Sequence, residues 1–366
     1  QGIFINFPSA YRYFREKLPF GVIQIGRGYR NEISPRQGVI RMREFNMAEA
    51  EFFYDENRCK ELSGIEEELN LLTNNNESLS INVHEILKRG IVKNEYILYF
   101  MVITQRFLKE AGIDGNRLRF RQHAKEERAH YASDCWDAEV LLDGWVEVAG
   151  IADRGTYDLS AHMKSSKEDF SVERRKKVLR PKMEKLKPEL AEAISAMEFD
   201  EDEDIDEITI NGVEIGKDCF EIEIRKKGKF VPNVVEPSYG VDRILYSVLY
   251  HNFRRDKNYT TLKLCPKIAP IKFGVFPLLR NREMKDLARK IYRLLKSEDI
   301  ACYYDDSGSI GRRYARMDEI GTPFCITIDH DSLSGKSVTI RFRDTKEQER
   351  VSVDMIIEHA RDLLSS

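Results

Sequence analysis

Gly28-Tyr29-Arg30-Asn31-Glu32-Ile33-Ser34-Pro35-Arg36, followed shortly by Ile40-Arg41-Met42-Arg43-Glu44-Phe45-Asn46-Met47-Ala48-Glu49, reads as a long hairpin. Two extended runs, Val22 to Ile33 and Val39 to Phe53, flank a loop of turn-forming residues from Ser34 to Gly38. Alternate residues of a strand share a face, so Arg41, Arg43, Phe45, Met47, Glu49 and Glu51 point one way; on the facing strand Arg30 and Glu32 share a side. A guanidinium suits phosphate oxygens through its planar fork, and an aromatic ring gives a purine base a stacking surface. The hairpin thus carries the parts of a nucleotide site. A surface hairpin laced with cross-strand ion pairs would have the same composition.

Outward from the hairpin, Glu61 to Ala111 is expected to be helical, interrupted by a polar loop at Asn74-Asn75-Asn76. Leu118 to Gly150 mixes short β-like runs with a His-, Trp- and Asp-rich segment. Ser171 to Phe199 is basic and helix-prone, with breaks at Pro181 and Pro188. An acidic run from Asp200 to Glu207 suits a solvated loop, and Asn211-Gly212 between alternating apolar residues signals a tight hairpin. A strand from Lys229 to Val235 turns through Glu236-Pro237-Ser238-Tyr239-Gly240 into a helix from Val241 to Phe253, and polar Arg254 to Thr261 reads as a linker. Beyond it the pattern alternates: strands at Ile271–Phe276, Ile300–Tyr304 and Phe324–Ile328, a helical stripe Met284, Leu287, Ala288, Ile291, Leu294, Leu295, and a closing helix from Val353 to Leu364. This is a separate small α/β domain.

Composition narrows the class without naming a partner. The 366 residues are 42% hydrophobic and 33% charged with a formal net charge of -3, which describes a charge-rich globular chain and gives no hint of nucleic acid. No stretch approaches the roughly 20 apolar residues of a membrane span. Cys59, Cys135, Cys219, Cys265, Cys302 and Cys325 form no C-x-x-C pair, so no zinc is expected and the cysteines read as reduced packing residues of a cytoplasmic protein. His123 and His130 lack three ligands at metal spacing and read as structural.

The opening hairpin closely resembles motif 2 of class II glycyl-tRNA synthetases, and Glu236-Pro237-Ser238-Tyr239-Gly240-Val241-Asp242-Arg243 resembles their motif 3, a strand entering a helix that carries an arginine. Further resemblance, closest to the eukaryotic and archaeal-type branch, covers Leu118–His123, Ala129–Glu139, Gly144–Glu147, Asp305–Arg316 and Asp318–Gly321. It implies an α+β chain: a partial catalytic domain over 1–253 with insertions at about 61–113 and 171–228, a linker at 254–261 and an anticodon-binding domain over 262–366. Motif 1, which builds the family's dimer interface, and a glutamate just upstream of Gln1 are expected to be missing.

The resemblance also implies roles. Arg30 and Arg243 would be catalytic, Arg30 holding the α-phosphate and the amino-acid carboxylate. Asn31, Glu32, Arg41, Met42, Phe45, Glu147 and Val148 would complete the ATP site, Glu147 also serving Mg2+. Glu49, Glu236, Pro237 and Ser238 would hold glycine, and Arg312, Arg313 and Arg316 would face tRNA phosphates. The implied partners are ATP, glycine and tRNA(Gly), with a homodimer for the complete enzyme and no membrane. A non-catalytic synthetase paralogue and a class IIa synthetase for another amino acid are the alternatives; Glu49, Glu236 and Ser238 together favour glycine.

Overall fold

The structure, a computed structural model, describes residues 1–33, 38–56, 65–127, 132–201, 203–257 and 259–365. The expected loop 34–37, His130 and Cys59 lie outside the described residues.

Short helices α1 (Gly2–Ile5) and α2 (Phe7–Tyr13) precede the hairpin of β1 (Phe20–Tyr29) and β2 (Glu44–Tyr54). Next come β3 (Glu68–Leu72), β4 (Ser78–Asn82), α3 (Val83–Lys88), α4 (Glu95–Glu110), β5 (Leu118–Gln122), β6 (Asp134–Leu141), β7 (Trp145–Gly155) and α5 (Tyr157–Ser166). A smaller module follows, with β8 (Val172–Pro181), α6 (Pro188–Ser195), β9 (Glu198–Asp200), β10 (Glu207–Ile210), β11 (Val213–Gly216) and β12 (Phe220–Phe230). The chain then returns through β13 (Asn233–Gly240) directly into α7 (Val241–Asn252).

One eight-stranded sheet, ordered β1-β2-β13-β7-β6-β5-β3-β4, carries both halves of the expected site. β13 lies between β2 and β7, pairing Ser238 with Glu49 on one side and with Gly150 on the other. One face of this sheet is a core: Trp136, Phe120, Leu69, Leu71 and Ile151 are buried under α4, which contributes Ile97, Leu98, Met101, Val102 and Leu108. Among the described residues the opposite face stays open except near Phe53, where Phe4 and Phe7 of α1 and α2 cover it.

Several expected elements differ. The stretch from 65 to 111 is helical only in α3 and α4: β3 and β4 extend the central sheet, and Thr73–Glu77 forms their turn. Residues 172–181 form a strand rather than a helix, because Val172, Val178 and Leu179 bury into small cores while the intervening charges pair with those of β12. Asn211 and Gly212 adopt φ of 53° and 79°, the left-handed pair that a two-residue hairpin demands. The acidic run is interrupted by Ile205, which is buried with Ile208 and Ile215.

The expected linker is itself a hairpin, β14 (Phe253–Asp256) with β15 (Tyr259–Leu262). The C-terminal domain comprises β16 (Phe273–Pro277), α8 (Arg282–Ser297), β17 (Cys302–Tyr304), α9 (Ile310–Ile320), β18 (Phe324–Ile328), α10 (His330–Gly335), β19 (Ser337–Phe342), β20 (Gln348–Ser352) and α11 (Ile356–Ser365). Its sheet runs β17-β16-β18-β19-β20, parallel over the first three strands and antiparallel thereafter. Tyr259 hydrogen-bonds Asp318 of α9, so the hairpin belongs with this domain. No helix among the described residues is long and apolar enough to cross a membrane.

Candidate functional site

The open face of the large sheet holds a cleft of about 550 Å³, partly continuous with solvent, at the junction of β2, β7, β13 and α7. Phe45 enters it from β2 because the strand's alternation sends Phe45, Met47 and Glu49 to one side. Gly28, opposite Phe45 on β1, is required by space: a Cβ there would fall 2.6 Å from Met47 Sδ and 2.7 Å from the Phe45 ring. The Arg30 guanidinium stands 5.6 Å from the centroid of that ring.

Arg243 reaches the same cleft from the first turn of α7. Its Nε donates to Ile40 O at 2.9 Å, and its Nη1 donates to Glu147 O at 2.9 Å and Glu147 Oε2 at 3.2 Å. Arg41 lies 3.9 Å from Glu32, and Arg43 is spent on the backbone, donating to Glu32 O at 3.1 Å. Asp242, which sequence reasoning did not single out, accepts from Asn46 N at 2.6 Å and Asn46 Nδ2 at 3.0 Å, tying β2 to α7.

Arg30, Glu32, Arg41, Met42, Phe45, Glu147, Val148, Ser238 and Arg243 all line this cleft. Asn31 is exposed and outside its lining. Glu49 and Glu236 sit beyond it along the same sheet face, bracketing Ser238. Pro237 is buried on the opposite face, paired with Ile151.

This acidic row has members that sequence reasoning left unassigned. Glu51 continues the alternation from Glu49, so period two alone could have found it. Arg154 of β7 donates Nη1 to Glu236 Oε2 at 2.5 Å and grips Asp158 of α5 with two bonds, at 2.7 and 2.9 Å. Burial, then the neighbouring Glu236, pushes the Glu51 carboxyl up to about 9. Glu236 is also raised by burial, against the pull of Arg154. Gly150, beside Ser238, adds no side chain to the row, and a Cβ there would meet Asp137 Oδ1 at 3.7 Å.

No three ligands accompany His123 in sequence spacing, yet the fold assembles such a set. His123, Cys135 and Asp137 come together from β6 and the end of β5, their polar atoms within 4.8 Å of one another. His123 Nε2 bonds Asp137 Oδ2 at 2.6 Å, which with Cys135 raises the imidazole to about 10. Asp137 also accepts from Arg121 at 3.1 Å.

In the C-terminal domain the three candidate arginines separate. Arg312 is exposed. Arg313 is 1% exposed and donates to the carbonyls of Pro277, Asp305 and Gly308, so it faces the interior and not a partner. Arg316 is partly exposed and bonded to Asp305 and to Ser307.

Residues 7–252 match the tRNA synthetase class II core domain (G, H, P, S and T), and residues 268–363 match the anticodon binding domain. The glycine–tRNA ligase of Archaeoglobus fulgidus is 46% identical over 396 aligned residues, covering 100% of this chain and 69% of the relative. That of Methanothrix thermoacetophila is 45% identical, covering 69% of the relative, and one from Methanococcus maripaludis is 42% identical, covering 71%.

Proposed function

This chain belongs to the glycine–tRNA ligase family of class II synthetases, and from that premise we propose that its cleft binds ATP while Glu49, Glu236 and Ser238 beside it bind glycine. The family's activity is ATP-dependent joining of glycine to tRNA. One observation carries the assignment of residues: Phe45, Arg30 and Arg243 line a single cleft that opens onto Ser238, Glu49 and Glu236.

Adenine stacks on Phe45 with Glu32 at its edge, and Arg30 holds the α-phosphate next to the glycine carboxylate. That carboxylate attacks phosphorus in line, pyrophosphate leaves, and no protein nucleophile is needed. Arg30 offsets the charge that builds on the phosphoryl oxygens, and Arg41 and Arg243 hold the outer phosphates. Glu147 fits one Mg2+ contact, because its carboxylate reaches the cleft and Mg2+ commonly takes one or two protein carboxylates with substrate phosphates. That ion would neutralise phosphate charge.

Selecting glycine is a matter of exclusion, since one methyl is worth only about 1 to 3 kcal/mol of discrimination. Glu49, Glu236 and Ser238 surround the α-ammonium with acceptors and leave no room for a β-carbon. A homodimer is part of the reading, supported by the open edge of β1, where Ile23 and Ile25 are exposed. A cytosolic setting is also part of it, in keeping with free Cys135, Cys219, Cys265, Cys302 and Cys325.

Glycine-dependent pyrophosphate exchange tests the assignment. Arg30→Ala and Arg243→Ala should each lower it by about two orders of magnitude or more, as loss of a preorganised charge on the reacting group does. Thermal melts should show both variants folded. Near-normal exchange at saturating ATP by a folded variant would remove that arginine from the mechanism.

A further inference from the structure

Glu51 is buried, 4% exposed, with its Oε2 enclosed and lacking a hydrogen-bond partner. Across β1 it faces Val22. The charged groups around it are Glu49 on its own strand, Glu236 from β13 and Arg154 from β7. Asp158 of α5 enters only by sharing Arg154, whose Nε and Nη2 are committed to it. An ionised Glu51 would therefore set a second negative charge against Glu236, with no cation of its own and one oxygen out of water's reach. A neutral Glu51 can instead donate its O–H to Glu236.

We infer that Glu51 is a positioning residue that keeps its proton and hydrogen-bonds Glu236, fixing that carboxylate where it receives the α-ammonium of glycine. The inference rests on the glycine-site reading above. It explains why a third glutamate adjoins a pocket whose substrate brings one positive charge: this one contributes a donor, not a charge. A carboxylate held from behind keeps a single rotamer, and in a pocket that selects by exclusion that rotamer limits the room for a larger amino acid. The upward shift of Glu51 to about 9 agrees with a proton retained at neutral pH.

Glutamine keeps both the shape and the donor, so Glu51→Gln separates proton from charge. Below the unfolded-state value near 4.3, folded and unfolded chains both carry the proton. Above it the unfolded chain ionises while the folded one does not, so the wild type loses stability as pH rises towards about 9 and the Gln variant does not. The difference in Tm between the two proteins should widen over that range, and parallel curves would overturn the inference. In pyrophosphate exchange at neutral pH, Glu51→Gln should stay within about threefold of the wild-type glycine KM, while Glu51→Leu should raise it about tenfold or more with ATP KM unchanged, the scale of a lost hydrogen bond to a charged group. A Gln variant as poor as the Leu variant would mean that the charge matters, and the inference fails. Glu236→Gln separates the two levels. If it leaves glycine KM unchanged, the glycine-site reading itself falls; if it raises KM while both Glu51 variants are silent, only the role of Glu51 falls.

Discussion

Arg312, Arg313 and Arg316 share one helix and one charge, yet the fold gives each different work. Ile310, Arg313, Tyr314 and Met317 follow the i, i+3, i+4, i+7 spacing of a helix's inner face, and Met317 is buried with Phe276 while Ile310 and Tyr314 pack against them. That stripe is legible in the sequence, but an arginine inside it reads as a break in the stripe until the carbonyls of Pro277, Asp305 and Gly308 are seen converging on it. Arg313→Ala should destabilise the protein by about 3 kcal/mol, because buried carbonyls lose their donor and a large side chain leaves a cavity. Arg312→Ala should leave stability unchanged, and paired thermal melts decide between them; equal Tm values would return Arg313 to the surface. Phe45 and Arg30 are readable for the opposite reason, since their chemistry follows from residue type and strand alternation, and Arg243 is found through the resemblance of its segment to motif 3. Alternation also puts Glu51 on that face, but its role and the presence of Arg154 are not readable, because they depend on β7 and β13 lying side by side, a pairing between residues 82 apart in the case of Arg154 and Glu236.

Elements depart from the sequence pattern where local propensity and tertiary pairing disagree. Ser171 to Phe199 has the Lys, Arg, Glu and Leu content of a helix, but β12 offers a full-length antiparallel partner to Val172–Pro181, and cross-strand pairs such as Lys226 with Glu173 and Arg180 with Glu223 use the charges. Polar Arg254 to Thr261 suggests a linker because hairpin edges and linkers share a composition; Thr261 is buried all the same. The sequence suggests a turn between β13 and α7, whereas the strand runs to Gly240 and the helix begins at once. That direct joint makes Asp242 a fastener between α7 and β2. Asp242→Ala removes two charge-assisted bonds to Asn46 and frees the first turn that carries Arg243, so kcat/KM for ATP should fall about tenfold, within the range of a lost bond to a charged group. Steady-state exchange with varied ATP measures this, and an unchanged ATP dependence would show that Arg243 is held by Ile40 and Glu147 alone.

At the scale of the whole molecule, a formal charge of -3 says little about nucleic acid, because carboxylates in both domains are gathered in a pocket or neutralised inside the fold. Glu49, Glu51, Glu236 and Asp158 gather in the pocket on the large sheet, where Arg154 joins Glu236 to Asp158. In the C-terminal domain the deepest carboxylate, Asp318, is neutralised inside: although burial opposes it, Arg341, Lys346 and Tyr259 hold it below the usual range. Net charge averages over such compartments and so says little about either surface. With Arg313 turned inward, the cations of α9 that can meet tRNA are Arg312 and Arg316, and Arg316 stands beside the Asp305–Ser307 turn, which it also braces. Changing both to glutamine keeps side-chain length and polarity while removing charge. Each cation withdrawn from a phosphate should lower the slope of log affinity against log salt by about 0.7 to 0.9, so the double variant should bind tRNA more weakly at low salt and approach the wild type at high salt. Pyrophosphate exchange needs no tRNA and takes place on the other domain, so it should not change. Binding titrations across salt concentrations provide the check: an unaltered slope with intact exchange would confine both arginines to bracing their own domain, and the RNA-facing surface would then have to be sought on another face of it.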